Sequence, residues 1–120
     1  MINTNELMQG NVLYCLATGK NEEVVGFDSE YIYINAITLD YLTPEDFNPI
    51  ELTENILDDL EFKEKGGLFL KELLCISKKN GVFYHSPTNI ILKYVHQLQN
   101  LYFLLTNNKL IFNDTNTSRT

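Results

Sequence analysis

The sequence predicts an α+β fold. We expect an SH3-like small β barrel or bent antiparallel sheet at the N-terminal side, a short middle helix, a further β-hairpin and a C-terminal helix over about 95–106. Three observations carry this. Short runs rich in Val, Ile and Tyr follow one another between residues 12 and 36, with turn-forming residues between them. An Asn80-Gly81 pair stands between two apolar runs, the strongest short hairpin signal because both residues tolerate positive φ. Residues 95–106 repeat apolar side chains at helical spacing.

The first strands are "NVLYCLA", "EEVVGF" and "EYIYINAI", divided by "TGKN" at 18–21 and "DS" at 28–29. In the third, Tyr31, Tyr33 and Asn35 alternate with Ile32, Ile34 and Ala36, so one face is expected to be buried. Turns this tight join antiparallel strands, since parallel pairing needs long crossovers. Pro44, Pro49 and the neighbouring acids predict a surface loop over 43–51. Thr53 then serves as an N-cap with Glu54 in the first helical turn, where a carboxylate complements the helix dipole. Ile56, Leu57 and Leu60 make one apolar stripe, predicting a helix over 54–61 that "EKGG" ends.

Strands are expected near 68–77 and 82–85, a turn at "SPT" (86–88) and another strand in "NIILKY". Val95, Leu98, Leu101, Tyr102 and Leu105 form the core-facing stripe of the last helix. Asn107 or Asn108 caps it, and a short strand "KLIF" follows. The tail 113–120, "NDTNTSRT", is small and polar and is expected to fray. With no internal repeat and no linker, residues 1–112 are expected to form a single compact domain.

Composition narrows the function classes. Apolar residues are 44% and charged residues 21% of 120, as in soluble globular proteins. No apolar run reaches the eighteen or so residues of a membrane span, and "MINTNELMQG" lacks the basic start and apolar stretch of a signal peptide, so the expected location is cytoplasmic. Cys15 and Cys75 lie in apolar runs and are expected as buried free thiols. With His85 and His96 they have no zinc-site spacing, and no metal or cofactor is implied.

The net charge of −7 argues against nonspecific nucleic-acid binding. The charge is uneven along the chain. Residues 1–64 hold 14 acids and 2 lysines, net −12; residues 65–120 hold 7 basic residues and 2 acids, net +5.

No nucleophile–base motif, phosphate loop or metal-protease motif is present, so a non-catalytic protein is expected. The stretch "KYVHQLQNLYFLLT" (93–106) draws attention instead. On a helix, His96, Gln99, Asn100, Phe103 and Asn107 share a second face. A face needing only solubility would carry Glu, Lys and Arg. Neutral amides, an imidazole and a ring suit a partly desolvated contact, whether with a ligand, a partner or a loop of the same chain. Tyr94, His96, Gln99, Asn100 and Phe103 are therefore the candidate binding residues. Lys78, Lys79 and Lys93, with Lys71 nearby in the basic half, are candidates for meeting an anion.

The same stretch resembles a signature, I-K-Y-V-H-Q-L-Q-N-L-Y-F-x-L-T, of a family of uncharacterised small proteins from Bacteroidetes genomes, prophages and phages. The resemblance extends to "NELMQGNVLY", where the family typically has Arg-Ile-Gly-Asn at Met8-Gln9-Gly10-Asn11, and to "FNPIELTENILDDLEFKEKGGLF". After the signature the family often continues Thr-Gly-Glu-Glu-Leu, whereas this chain has "TNNKLIF". The resemblance implies a phage or mobile-element origin and, for a phage-encoded protein, the host cytoplasm. Beside it stands the expectation of a homo-oligomeric binding protein that sequesters a host immune nucleotide or blocks a host defence protein. The partner is then a host protein or a small anionic, nucleotide-like ligand, with neither membrane nor nonspecific nucleic acid involved. The alternative is a virion, assembly or adaptor protein using the C-terminal helix as a subunit interface.

Overall fold

The computed structural model describes residues 2, 4–35 and 42–112. Its first half is an antiparallel sheet in the order β3-β2-β1-β4, with β1 at Val12–Cys15, β2 at Lys20–Phe27, β3 at Ile32–Ile34 and β4 at Phe47–Asn48. Three hairpin-connected strands with the fourth returning beside the first make a Greek key.

The sheet has to curl. Leu42 bridges Ile32 on the open side of β3, and only five residues later Phe47 pairs with Cys15 on the far side of β1. Five residues span at most about 17 Å, so the two edges of the sheet must approach one another. A bulge between Val24 and Gly26 adds to the bend. Inside the curl lie Leu13, Cys15, Val24, Ile32 and Phe47, all essentially solvent-free. The bent N-terminal sheet is therefore the expected one.

Residues 43–51 are not a surface loop. Pro44–Asp46 forms a 3₁₀ turn, with the Thr43 N–H donating to the Asp46 carboxylate at 2.8 Å. That turn delivers Phe47 into the core as part of β4. The prolines had suggested a loop because proline cannot donate to a ladder, but Pro44 sits at the first position of the turn, where no donor is needed.

In the second half, α1 (Glu54–Asp59) starts at Thr53, whose hydroxyl accepts from the Ile56 N–H at 3.2 Å. It ends through its own C-terminal geometry rather than at the glycines. Glu61 takes a left-handed φ of 69°, the Phe62 N–H reaches Leu57 O and the Glu61 N–H reaches Asp58 O. This is a Schellman motif.

The "EKGG" segment belongs to the next element: β5 (Lys63–Lys65), a Gly66-Gly67 turn with φ of 62° and 82°, then β6 (Leu68–Lys71). The run expected as one strand over 68–77 is divided at Glu72 (φ 50°) into β6 and β7 (Leu74–Lys79). Asn80 (φ 54°) and Gly81 (φ 78°) make the expected tight hairpin into β8 (Val82–His85). "NIILKY" contributes only β9 (Ile90–Ile91). The second sheet runs β5-β6-β7-β8-β9, all antiparallel.

α2 (Val95–Thr106) has the expected boundaries. The Gln97 side chain accepts from the Lys93 and Tyr94 N–H groups at 2.8 and 3.0 Å, satisfying donors that the first helical turn leaves open. Asn107, left-handed at φ 59°, caps the end. Val95, Leu98, Leu101 and Tyr102 are buried, while Leu105 is 38% exposed, because the core ends before the helix does. "KLIF" forms no strand, although Leu110 and Phe112 return to the core. Val12, on the outer side of β1, joins the cluster around α2, so the last helix packs against both halves of the chain. The polar tail lies outside the described residues.

Candidate functional site

The polar face of α2 is covered by the chain's own N-terminal segment. Gln99 is 5% exposed, and its amide is fully engaged. Its Oε1 accepts from the Val12 N–H at 3.0 Å, and its Nε2 donates to Leu110 O at 3.0 Å and to Gly10 O at 3.3 Å. Asn100 Oδ1 accepts from Asn11 Nδ2 at 2.8 Å, and Asn100 Nδ2 donates to Glu6 O at 2.6 Å. Asn11 Oδ1 in turn accepts from the Met8 N–H at 2.7 Å. Three amide side chains thus stitch residues 6–12 and 110 to one helix face. Amides suit the task because each offers donor and acceptor without the cost of burying a charge.

His96 is buried beside this clasp, 2% exposed. It stacks on Tyr94 with ring centres 5.8 Å apart, and its Nε2 lies 3.5 Å from Glu6 Oε1. Burial pushes its pKa down from the usual histidine value, and the Glu6 carboxylate opposes that shift. Among the described residues, no hydroxyl or thiol is bonded to it and its Nδ1 has no partner.

A cleft of about 200 Å³ opens beside the clasp. Met8, Gly10, Gln99, Asn100, Phe103 and Lys109 line it. Gly10 has φ 97° and lies under the Lys109 side chain, whose Nζ is 3.5 Å from where a Cβ on Gly10 would stand. The Gln99, Asn100 and Asn11 amides are spent on the chain itself, so an occupant would meet the half-buried Met8 and Phe103, the exposed Gln9 amide and the exposed Lys109 ammonium. The cleft is smaller than a drug-sized pocket and suits one anionic or planar group of a larger molecule.

No family model, curated protein or solved structure matches the chain. Gly10-Asn11 and Gln99-Asn100 meet in space at the clasp.

The candidate lysines do not gather in one place. Adjacent strand residues point to opposite faces, so Lys78 and Lys79 separate. Lys78 pairs with Glu54 at 2.6 Å and lies over the Phe83 ring, while Lys79 projects from the other side of the sheet. Lys93 lies over Tyr94, 5.4 Å from its ring centre, and Lys71 donates to Leu60 O. None of these lysines lines the cleft. Of the candidate residues, Gln99, Asn100 and Phe103 reach it, and Tyr94 and His96 lie one helical turn away. Glu6, Asn11 and Lys109 were not singled out by sequence. Their one available signal was polarity beside a glycine or an apolar pair, which is too common to distinguish them.

Among the described residues no group of His, Cys, Asp and Glu could hold a metal ion, and no helix is long and apolar enough to cross a membrane. Cys15 is buried and Cys75 half-buried, both as free thiols.

Proposed function

We propose that the protein is a non-catalytic binding protein whose cleft takes an anionic group, either the phosphate-bearing end of a nucleotide-like ligand or an acidic side chain of a partner protein. The observation that carries the reading is that the Phe103 ring and the Lys109 ammonium line one cleft whose floor is the hydrogen-bonded amide clasp. Such a floor lowers the ordering cost of binding, and a ring with a cation suits a base or sugar joined to a phosphate. The resemblance to phage and prophage proteins favours a host molecule as the target: an immune nucleotide to be sequestered or a defence protein to be blocked.

Native mass spectrometry of gently purified protein, followed by calorimetric titration with inorganic phosphate and a panel of mono-, di- and cyclic nucleotides, tests the small-ligand form. Lys109→Ala and Phe103→Ala should each weaken binding by about tenfold or more while leaving the thermal midpoint nearly unchanged. No heat and no retained mass at millimolar ligand would reject a nucleotide ligand and leave the acidic side chain of a protein as the occupant.

A second reading, an assembly protein using the C-terminal helix as a subunit contact, has its own support. Leu104, in the last turn of α2, is 80% exposed, and Ile111, in the segment that follows the helix, is 70% exposed. Leu104→Glu would dissociate such an assembly without touching the cleft.

A further inference from the structure

The strand register of the second sheet sorts its residues onto two faces. Phe69, Ile76 and Phe83 point into the core with α1 and α2, so the residues alternating with them point outward. The outward row across all five strands is Lys65, Leu68, Ser77, Tyr84 and Ile91, each directly opposite the next. Lys63, Leu70 and Cys75 form a second row, and Lys79 with Val82 a third. An antiparallel sheet that turns one face to water ordinarily reads polar on that face. This face is apolar through its middle. Leu68, Leu70, Cys75 and Tyr84 are half-buried, Val82 is 43% and Ile91 62% exposed.

Its charge stands at the margin. Lys63 and Lys65 lie on the edge strand β5, and Lys79 lies at the hairpin end of β7. Every charged residue on the three rows is a lysine, and none has an ion-pair partner among the described residues. A positive rim thus surrounds an apolar face on a protein whose net charge is −7. Near β9 the surface dips into an open hollow lined by Lys79, Asn80, Val82, Tyr84, Asn89 and Ile91. An apolar middle, a charged rim and a recess for an anchoring side chain are the anatomy of a protein interface. Single-stranded nucleic acid would call for several rings, and the three rows hold only Tyr84. A bilayer would call for protruding apolar side chains, and of those on the rows only Val82 and Ile91 are exposed. The rim selects carboxylates, because a basic partner would set like charges together.

We infer that the outer face of the second sheet docks an acidic, apolar segment of a partner protein, with an apolar anchor of that partner in the hollow and its carboxylates facing Lys63, Lys65 and Lys79. The inference is independent of the cleft beside α2 and of its occupant. Salt weakens the contact, because the selecting charges lie at its solvated margin.

Random displayed peptides test this, selected on the wild-type protein and counter-selected on the reversal Lys63→Glu/Lys65→Glu/Lys79→Glu. The expected survivors combine Asp or Glu with apolar residues. As synthetic peptides they should shift the amide resonances of Leu68, Ser77, Tyr84 and Ile91 and leave those of Phe103 and Lys109 unmoved. The charge reversal and, separately, Ile91→Ser should each weaken binding about tenfold or more with unchanged circular dichroism, and added salt should weaken it too. No survivors, survivors without acids, or shifts confined to another surface would overturn the proposal. So would phosphatidylserine vesicles or a single-stranded oligonucleotide binding the wild type but not the reversal in place of the peptides, since the occupant would then be a membrane or a nucleic acid.

Discussion

Gln99 shows how a side chain that looks available in sequence can be fully committed in the fold. Two backbone carbonyls and a backbone N–H depend on its amide. Gln99→Ala should therefore cost about 2–4 kcal/mol, because buried backbone groups would lose their partners. Urea denaturation measures it, and a loss below about 1 kcal/mol would show that water replaces the amide. Asn11→Ala and Asn100→Ala should be strongly non-additive, since each removes the partner of the other. His96 supplies a pH dependence. Its pKa is depressed in the folded state, so the unfolded chain binds the proton first as pH falls. Stability is then level above about pH 6.5 and declines below it until the folded histidine also titrates. Urea midpoints from pH 8 to 5 should show that decline in the native protein and less of it in His96→Phe.

The elements were legible where a local rule governed them. Thr53, the Asn80-Gly81 turn and the Val95–Thr106 helix each depend on residues within a few positions, and each stands where the sequence put it. Thr53→Ala should accordingly cost about 1 kcal/mol in the same urea assay. The misplaced elements were those with a distant partner or without a hydrophobic pattern. β4 exists because Phe47 finds Cys15 more than thirty residues away, and β5 because Lys63–Lys65 finds β6 across two glycines. β5 is charged on every residue, which hides it from any hydrophobic pattern and also protects an edge strand against further pairing. At the end of α2, Asn107→Gly should be neutral or slightly stabilising, whereas Asn107→Val should destabilise, because only the former tolerates a φ of 59° without strain.

Across the molecule, the N-terminal segment connects the curled sheet to α2. Ile2 and Leu7 enter the first core, Glu6 and Asn11 bond the helix, and Val12 enters the second core. Deleting residues 1–10 should lower the thermal midpoint and speed amide exchange in residues 96–103 well beyond the rest of α2. Unchanged exchange there would mean that the clasp follows the packing of Val12 and does not add to it.

Local and periodic features were decided by the sequence alone: the α+β class, the bent first sheet, both helices, the hairpin at 80–81 and an unusual amide-rich helix face. These rest on steric and hydrogen-bonding rules that act over a few residues. What that face touches was decided only by the tertiary structure. The same amides could have met a ligand, a partner or the chain's own N-terminus, and periodicity fixes a direction in space but not the atoms found there. The distribution of the lysines was likewise settled by strand register. Lys78 and Lys79 are neighbours in the chain, yet a strand sends one to Glu54 and the other to the opposite face.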